Sequence, residues 1–570
     1  MKTFLLRNTL LLILCALAVS MTRAATITST YVGPVEGNWG DPANWSPTGV
    51  PNNGGGNTFA VSFAKVFLTL DLDVAVNRIT FAAGDPVIFG GDAPFLYCLD
   101  HNFSSLHTKV GAGGIVDASA VGKDVTVDLG ELADFSGTTL NTGYAYVVTA
   151  EPGRAATLQF NNANIVSSAA GIELVGTNTR LVDENGTNAL AHFRHNLFDG
   201  YFDLEVGRNF TTEGSFVNEG LITIFASDPG FVTGDTNTTL TISGNYTGIG
   251  YPLDLNTDGL VELLAPGPNG NARMVIKGAL TNYDADTQTL HKSYFGWEAA
   301  NGAGATTRVL GGGKPLDIVT SEAALVLFGP NTGFRDKFGN DALRNLAVSA
   351  RLLIGDRNFT TADSFVSTSR LSIFGDTRFT VSGHLTVRNG FFEVSPLTGY
   401  ARNRDPGFPA TPSYLSSQVI VRGNFNLHSP GILRFHILNH EKTATVNVKG
   451  AAVFAGTLQA GVEKVGKVSA SDSFTVLTAD MITGQFSNVA SGGSINVYSA
   501  FDSLGNPIGD PVGTFRARYN RNSLVLDNFQ PGSAPTAAKV QSGSAGLEPR
   551  GDMEGGSSAG TRGTDRLGKP

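Results

Sequence analysis

Cysteine is nearly absent from this sequence, with only Cys15 and Cys98 among 570 residues. Cys15 lies in a segment with the pattern of a cleaved leader, described below. The chain without that leader would hold one cysteine, so no internal disulfide is expected. A secreted protein of this size without disulfides depends on burial and on sheet hydrogen bonds for its stability.

Charge is also scarce. Asp, Glu, Lys and Arg make up 16% of the residues, whereas the average soluble protein has about 25%. The formal net charge is −9, and there is no basic stripe that would neutralise a phosphate backbone, so nucleic-acid binding is not expected. Beyond residues 1–24, no apolar run has the length of a membrane-spanning helix, so no transmembrane segment is expected in the mature chain.

Glycine and phenylalanine are abundant, at 70 and 36 residues. Many Phe and Val residues together with Thr, Asn and frequent Gly are typical of strands separated by tight turns. A helical enzyme would contain more Glu, Lys, Ala and Leu. The composition therefore predicts an all-β protein.

The N-terminus has the pattern of a secretory signal peptide over residues 1–24. Lys2 and Arg7 form a basic region, residues 10–19 an apolar core, and residues 22–24 a small-residue cleavage site. The apolar core is too short to span a membrane. This pattern predicts a secreted or cell-surface protein.

The middle of the chain contains an internal duplication. Arg-Asn-Phe-Thr-Thr at 208–212 recurs at 357–361, and Ser-Phe-Val at 215–217 recurs at 364–366. Including weaker matches on both sides, the copies cover about 170–245 and 323–387. The repeated Asn and Thr side chains are interpreted as a stacked polar ladder with Phe210 and Phe359 in the core, the alternative being a repeated ligand site.

A shorter motif recurs through residues 101–440: alternating apolar residues, then Gly, then another strand. Alternation with period two places the apolar side chains on one face of a strand. Glycine permits a positive φ or a close backbone approach at the corner. Repetition without helical periodicity predicts a right-handed parallel β-helix, or β-solenoid, with rungs of about 20–30 residues. The motif occurs at 240–244, 274–278, 379–383, 419–423 and 446–450.

Residues 25–100 are interpreted as an N-terminal cap followed by the first strands. Trp39 and Trp45 lie among Gly, Asn, Asp and Pro residues, which predicts a folded loop that seats both indoles on the first strands. Such a loop would cover the open end of a sheet, which solenoids require. The alternative is an aromatic platform for a sugar ligand.

The two ends of the chain resemble a known class. The Asn-Trp…Asn-Trp…Val-Pro-Asn opening at 38–52 and the β-rich 441–530 module resemble exported bacterial β-solenoid proteins with autotransporter-associated β-strand repeats. Many of those carry a C-terminal sorting anchor of the PEP-CTERM type. Here residues 531–570 have no such signal and no apolar span, and their Gly/Ser/Ala/Pro-rich composition predicts a disordered tail.

One segment has the pattern of a calcium loop. Asp254, Asn256 and Asp258 alternate before Gly259, as the oxygen ligands of a hard cation do. Glu262 is the nearest candidate for a closing carboxylate. The alternative is a plain turn between strands, with no cofactor. The His192/His195 and His436/His440 pairs lie in strand-like sequence, which would disperse them rather than gather them around a metal ion.

These patterns favour a secreted or cell-surface structural or adhesive β-solenoid protein without catalytic activity. The expected partners are polysaccharides or components of the cell envelope. The alternatives are a polysaccharide-active β-helix lyase or hydrolase that uses the acidic residues of the calcium-like segment, and a glycan-binding protein that uses Trp39 and Trp45.

Overall fold

The structure of the protein is a computed structural model. It describes residues 25–54, 57–64, 66–81, 94–111, 113–141, 145–227, 236–249, 259–396, 417–439, 443–462, 467–501 and 506–532. These residues group into two compact units. Unit 1 comprises those within Met1–Asn164 and Asn178–Leu190, and unit 2 those within Ile165–Thr177 and Ala191–Pro570. The predicted signal peptide and nearly all of the predicted tail lie outside the described residues.

The all-β class is confirmed. The described residues form 52 strands and one short 3-10 helix, Pro42–Asn44. Most strands belong to long parallel sheets in which each strand pairs with one from the preceding and one from the following turn of the chain. This repeated parallel architecture is compatible with a β-solenoid, and we call each turn a rung.

Unit 1 contains two parallel sheets. The first is formed by β1 (Ala25–Tyr31), β4 (Asn57–Phe63), β6 (Val74–Phe81), β8 (Phe103–Lys109), β10 (Val125–Asp128), β15 (Ala156–Gln159) and β18 (Thr179–Val182). The second is formed by β2 (Glu36–Asn38), β5 (Phe67–Thr69), β7 (Phe95–Leu99), β9 (Ile115–Ala120) and β14 (Ala145–Ala150). Short strands complete the unit: β3 (Trp45–Ser46), antiparallel to β1, β11 (Glu131–Leu132), and the hairpin β12 (Phe135–Ser136) and β13 (Thr139–Leu140).

The longest sheet of unit 2, here called the long sheet, has twelve parallel strands. They are β17 (Gly171–Val175), β20 (Tyr201–Glu205), β23 (Leu221–Phe225), β26 (Leu260–Ala265), β30 (Tyr294–Ala299), β32 (Thr320–Phe328), β34 (Val348–Gly355), β36 (Phe365–Phe374), β39 (Phe391–Val394), β42 (Ile432–Ile437), β45 (Thr457–Val462) and β48 (Ser494–Tyr498).

Shorter parallel ladders form the other sides of the unit 2 rungs. One side has β16 (Ser167–Ser168), β19 (His195–Asn196), β22 (Phe216–Asn218) and β25 (Tyr246–Gly248), and later β38 (Leu385–Val387), β41 (Phe425–Leu427), β44 (Ala451–Phe454) and β47 (Met481–Gly484). Another has β21 (Phe210–Thr211), β24 (Asn237–Ile242), β27 (Asn271–Ile276), β31 (Gly304–Val309) and β33 (Thr332–Arg335), and later β35 (Phe359–Thr360), β37 (Arg378–Val381), β40 (Gln418–Val421), β43 (Thr445–Val448) and β46 (Ser473–Thr478). There is also a small hairpin, β28 (Tyr283–Asp284) and β29 (Thr289–Leu290), whose second strand pairs parallel with β32.

The parallel pattern ends in an antiparallel closure. Strand β51 (Gly513–Tyr519) pairs with β48, β52 (Ser523–Pro531) pairs with β46, and the two pair with each other. A two-stranded ribbon, β49 (Ala500–Phe501) and β50 (Pro507–Ile508), precedes them. The closing strands satisfy backbone groups that the last parallel strands would otherwise leave unpaired.

The core of unit 2 is built from columns of register partners. Phe202, Ile222, Val261, Phe295 and Leu325 follow one another across five strands of the long sheet, and each is completely buried. Burial of each such side chain contributes about 1.5–3 kcal/mol. Because successive rungs repeat this contact, each rung buries the apolar face of its neighbour.

Corner glycines set how closely the rungs stack. An ideal β-carbon at Gly278 would lie 2.5 Å from the carbonyl carbon and oxygen of Gly244, and one at Gly311 would lie 2.5 Å from those of Gly278. The backbone N–H of Gly278 donates to the Gly244 carbonyl at 2.9 Å. Of the two explanations for these glycines, close backbone approach is the correct one, because none of the three has a positive φ.

Both copies of the duplication contain the same tight loop. The Asp183 Oδ1 atom accepts hydrogen bonds from the backbone N–H groups of Asn185 and Thr187. Asp336 Oδ1 accepts the equivalent bonds from Phe338 and Asn340. The sequence match upstream of the Asn-Phe-Thr-Thr block therefore encodes a turn in which one aspartate satisfies two backbone donors.

Candidate functional site: a charged face of the long sheet

The outward face of the long sheet is unusually polar. In strands buried on one face, alternate residues point away from the core. Here many of these outward residues carry charge or a phenol, and the register aligns them in three neighbouring columns. We call this set the charged face: Asp203, Glu205, Glu262, Tyr294, Glu298, Arg351, Arg370, Glu393, Arg434 and His436.

Glu393 is at the centre of the most buried part of this face. Its side chain is 0% exposed. Arg370 Nη2 lies 3.1 Å from Glu393 Oε2, and the Ser372 hydroxyl donates to the same oxygen at 3.1 Å. His436 Nε2 lies 2.8 Å from Glu393 Oε1, and Arg434 Nη1 lies 3.8 Å from it. A buried carboxylate requires such compensation, because an uncompensated charge in the interior is very costly.

Arg434 is buried beneath aromatic rings. Its guanidinium carbon lies 3.7 Å from the centroid of Phe501 and 5.0 Å from that of Phe391. Its Nε and Nη2 atoms donate to Gln459 Oε1 at 3.0 and 2.7 Å. Cation–π contact and these hydrogen bonds offset the loss of hydration. Around Glu393 and Arg434, the polar side chains of the charged face are therefore contacted by residues of neighbouring rungs and by the Phe501 ring.

Tyr294 lies on the same face, with Glu262 close by. An ideal β-carbon at Gly296 would lie 3.5 Å from Tyr294 Cε1 and 3.6 Å from Glu262 Cγ, so both side chains border the space above that glycine. Burial, and then the charges of Glu262 and Glu298, raise the pKa of Tyr294 well above its ordinary value, although Arg351 and Arg370 act in the opposite direction. The phenol therefore stays protonated at neutral pH and can donate a hydrogen bond.

Three of the four predicted calcium ligands, Asp254, Asn256 and Asp258, lie outside the described residues. The fourth, Glu262, belongs to β26 and is paired in register with Thr223 and Gly296. Within the described part of the chain, no three His, Cys, Asp or Glu side chains are grouped so as to hold a metal ion. The calcium loop stays a prediction.

Trp39 and Trp45 are in the interior of unit 1. They are 0% and 1% exposed. Their indole N–H groups donate to the backbone oxygens of Pro51 and Trp39 at 2.9 and 2.8 Å, and the two rings pack against each other at 4.8 Å. Neither ring presents a face to solvent, so the structure does not form a sugar platform from these two residues.

The described histidines of the two sequence pairs, His192, His195 and His436, contact carboxylates rather than one another. His192 pairs with Glu213 and His195 with Glu219, so two residues three apart in sequence contact different partners. His436 contacts Glu393, and His440 lies outside the described residues. The first pair is dispersed as predicted, although only His195 lies in a strand, β19, whereas His192 lies in a turn.

Sequence analysis missed Glu393 and Arg434, and it considered His436 only as a possible metal ligand paired with His440. Their signal was present: Arg434 and His436 are two residues apart in the otherwise apolar strand β42, and Glu393 follows two phenylalanines in β39. Charges at alternate positions within a buried strand indicate a compensated pair. Their partners were not identifiable, because the pairing joins residues about 40 positions apart in sequence.

Comparison with known proteins gives no match to a family model, a curated protein or a solved structure. Within the described residues, no helix is both long enough and apolar enough to cross a membrane.

Proposed function

We propose that this protein is an exported structural or adhesive protein without catalytic activity. It would act outside the cell or at its surface, like the exported β-solenoid proteins that its two ends resemble. The proposal rests on one observation: polar side chains form hydrogen bonds and ion pairs from one rung to the next. Of the eight histidines that the structure describes, six lie within 3.5 Å of a carboxylate on a neighbouring rung.

Polar ladders at the corners support the same role. The Ser364 hydroxyl accepts the backbone N–H of His384, and His384 Nδ1 accepts that of Asn424. Asn424 Oδ1 then accepts the backbone N–H of Ala451 at 2.9 Å. Each side chain thus satisfies a donor on the following rung. A scaffold built this way gains stability from its nearest-neighbour contacts and needs no catalytic constellation.

The proposal includes a right-handed parallel β-helix with an N-terminal cap. Parallel strands joined within one sheet are right-handed in about 98% of connections. A cap is supported by the seating of Trp39 and Trp45 in unit 1 and by β3, which pairs antiparallel to β1 at Thr30 and Tyr31. This pairing covers part of the outer edge of the first strand.

The test is to tag the full chain, express it in a Gram-negative host and treat intact cells with protease. We expect the tag to become protease-sensitive, and a variant lacking residues 2–24 to be retained inside. Incubation of the purified chain with uronate polymers should release no product that absorbs as an unsaturated uronate, with or without calcium. Retention of the full chain in the cytoplasm, or release of that product, would contradict the proposal.

A second candidate function is suggested by Tyr294. Tyr294 shares one register column of the charged face with Arg351 and Arg370. In a lyase that acts on an acidic polysaccharide, these arginines would neutralise the uronate carboxylate and the protonated phenol would donate a hydrogen bond to the sugar. If the chain is a lyase, Tyr294→Phe should abolish product release, while Tyr498→Phe, on the last strand of the same sheet, should not. Equal activity of both variants would exclude Tyr294 from catalysis.

A further inference from the structure

Unit 1 carries a group of aromatic rings on the outward face of its second parallel sheet. Phe67 comes from β5, and Phe95 and Tyr97 come from β7; we call these three residues the aromatic patch. The alternate residues of the same strands, Leu68 and Leu96, are completely buried. Period-two alternation thus fills the inner face with aliphatic side chains and leaves the aromatic rings outside.

The three rings form one continuous surface. Phe67 and Phe95 are register partners on adjacent rungs, and their centroids are 4.5 Å apart with planes inclined by 20°. The Tyr97 ring is 5.8 Å from Phe67 and 6.1 Å from Phe95. This arrangement orders the rings before any ligand arrives, because each restricts the rotamers of the others. Preorganisation of this kind reduces the entropic cost of binding.

The patch is accessible to solvent. Phe67 is 39% exposed, and its neighbour Val35 is 61% exposed. Phe95 and Tyr97 are partly exposed. Cross-strand stacking explains why the rings lie together. It does not explain why they are exposed, because buried rings would stack equally well. A cluster of ordered aromatic rings on the solvent-exposed face of a sheet is typical of a binding surface.

Hydrogen-bonding side chains border the patch in register. Glu36, which is exposed, is the register partner of Phe67 on the preceding rung. Asn38, also exposed, is the partner of Thr69, which in turn is the partner of Tyr97. A carboxylate, an amide and a hydroxyl thus lie beside the rings, on the preceding rung and on the Phe67 strand, and these are groups that pair with sugar hydroxyls.

We propose that the aromatic patch binds a neutral polysaccharide. The negative π-faces of the rings attract the weakly positive C–H groups on the face of a pyranose, while Glu36, Asn38 and Thr69 hydrogen-bond to its hydroxyls. The charged residues in register beside the rings are both acidic: the exposed Glu36 is the partner of Phe67, and the buried Asp117 is the partner of Tyr97. Their carboxylates repel uronate, sulfate and phosphate groups and select against acidic glycans. The inference rests on the proposed adhesive function and supplies its ligand class.

Native gel electrophoresis of the full chain through soluble polysaccharides tests this site. The neutral probes are hydroxyethylcellulose, glycol chitin and laminarin, and polygalacturonate is the acidic comparison. We expect at least one neutral polymer to retard the wild type. Phe67→Leu keeps the apolar bulk but removes the ring, and should weaken binding by about tenfold, the loss of one aromatic contact. Tyr97→Leu should behave in the same way.

Phe338→Leu is the matched control, because Phe338 is 70% exposed in unit 2 and its loss should leave retardation unchanged. Circular dichroism melting verifies that each variant is folded. Should Phe67→Leu fail to fold, Phe67→Trp supplies a larger ring and should retain or strengthen binding. The inference is overturned if no neutral polymer retards the wild type, if polygalacturonate alone does, if a folded Phe67→Leu binds normally, or if a folded Phe67→Trp binds more weakly.

The outcome is separable from that of the proposed function. A chain that reaches the cell surface and lacks uronate-releasing activity, yet binds no neutral polymer, would refute the site alone. A chain that binds through Phe67 but stays in the cytoplasm would refute export alone.

Discussion

His436 Nε2 lies 2.8 Å from Glu393 Oε1, and the two side chains are 3% and 0% exposed. They come from adjacent strands of the long sheet, β42 and β39. The same carboxylate also contacts Arg370. A network that joins neighbouring rungs in this way ties local stability to a single buried carboxylate, because the Arg370 and Arg434 guanidinium groups near Glu393 lose compensation if its charge is removed.

Glu393→Gln should therefore destabilise unit 2 strongly. The substitution preserves shape but leaves the Arg370 and Arg434 guanidinium groups without their counter-charge, at a cost of about 3–5 kcal/mol. Urea denaturation followed by circular dichroism measures the loss. Glu322→Gln is the control: its partner His291 lies 2.9 Å away with both side chains about half exposed, and such pairs contribute about 1 kcal/mol or less. Equal effects of the two substitutions would show that the buried network is not a special source of stability.

Gly278→Ala should destabilise the same unit through sterics alone. Its β-carbon would lie 2.5 Å from backbone atoms of Gly244, which cannot move without separating two rungs. We expect a loss of about 1–3 kcal/mol in the free energy of unfolding, typical of overpacking. Gly214→Ala is an informative control, because it lies at the preceding corner and its β-carbon meets no atom within 4 Å. A neutral Gly278→Ala would mean that the rung spacing is adjustable.

Phe210→Ala and Phe359→Ala test the two copies of the duplication. Both rings are buried, at 6% and 4% exposure. Phe210 packs edge-to-face on Phe202 at 5.2 Å, and Phe359 stacks on Phe379 at 6.0 Å. Each truncation should cost about 3–5 kcal/mol, with increased hydrogen exchange confined to neighbouring rungs. Phe338→Ala, at an exposed position, should change stability by less than about 0.5 kcal/mol.

Local patterns in the sequence were sufficient for the fold class and for the corners. The alternation in Leu240-Thr-Ile242 places Leu240 and Ile242 in the core, and the following Gly244 contacts Gly278 because the motif recurs one rung later. The duplication likewise predicted that Phe210 and Phe359 are buried.

Contacts between rungs were beyond prediction for a physical reason. Register partners on the long sheet are separated by as few as 18 residues, from Val348 to Val366, and by as many as 41, from Phe392 to Leu433. Without a constant period, the sequence does not specify which charge faces which. The partners of Glu393 and the stacking of Phe67 on Phe95 therefore emerge only from the three-dimensional register.

The calcium hypothesis predicts a melting temperature that depends on the ion. If Asp254, Asn256 and Asp258 direct their oxygens into one turn, binding at about 10⁻⁴–10⁻³ M is expected for an extracellular site. Millimolar calcium should then raise the melting temperature, since a ligand of the folded state alone stabilises it by mass action. Asp258→Ala should abolish that rise and Asp235→Ala should not. A wild type whose melting temperature is insensitive to calcium would identify the segment as a plain turn.

Acid should weaken the antiparallel closure of unit 2 through Asp527. The Arg516 Nε–H donates to Asp527 Oδ1 at 2.8 Å, and Arg518 Nη2 lies 2.5 Å from Oδ2. The hydrogen bond from Arg516, with the added charge of Arg518, lowers the pKa of Asp527 below its ordinary value despite partial burial. A lowered folded-state pKa means that the carboxylate stabilises the protein above the unfolded pKa, about 3.9. That stabilisation is lost as the pH falls through the folded-state pKa.

Asp527→Asn should cost about 1.5–3 kcal/mol at neutral pH, as expected for hydrogen bonds to a charged group. The gap in stability between wild type and variant should close as the pH is lowered below 4. Asp510→Asn, at an exposed position nearby, controls for the loss of one negative charge and should leave the pH profile unchanged. A gap that is constant from neutral pH to acid would show that the loss comes from altered packing and not from the ionised carboxylate.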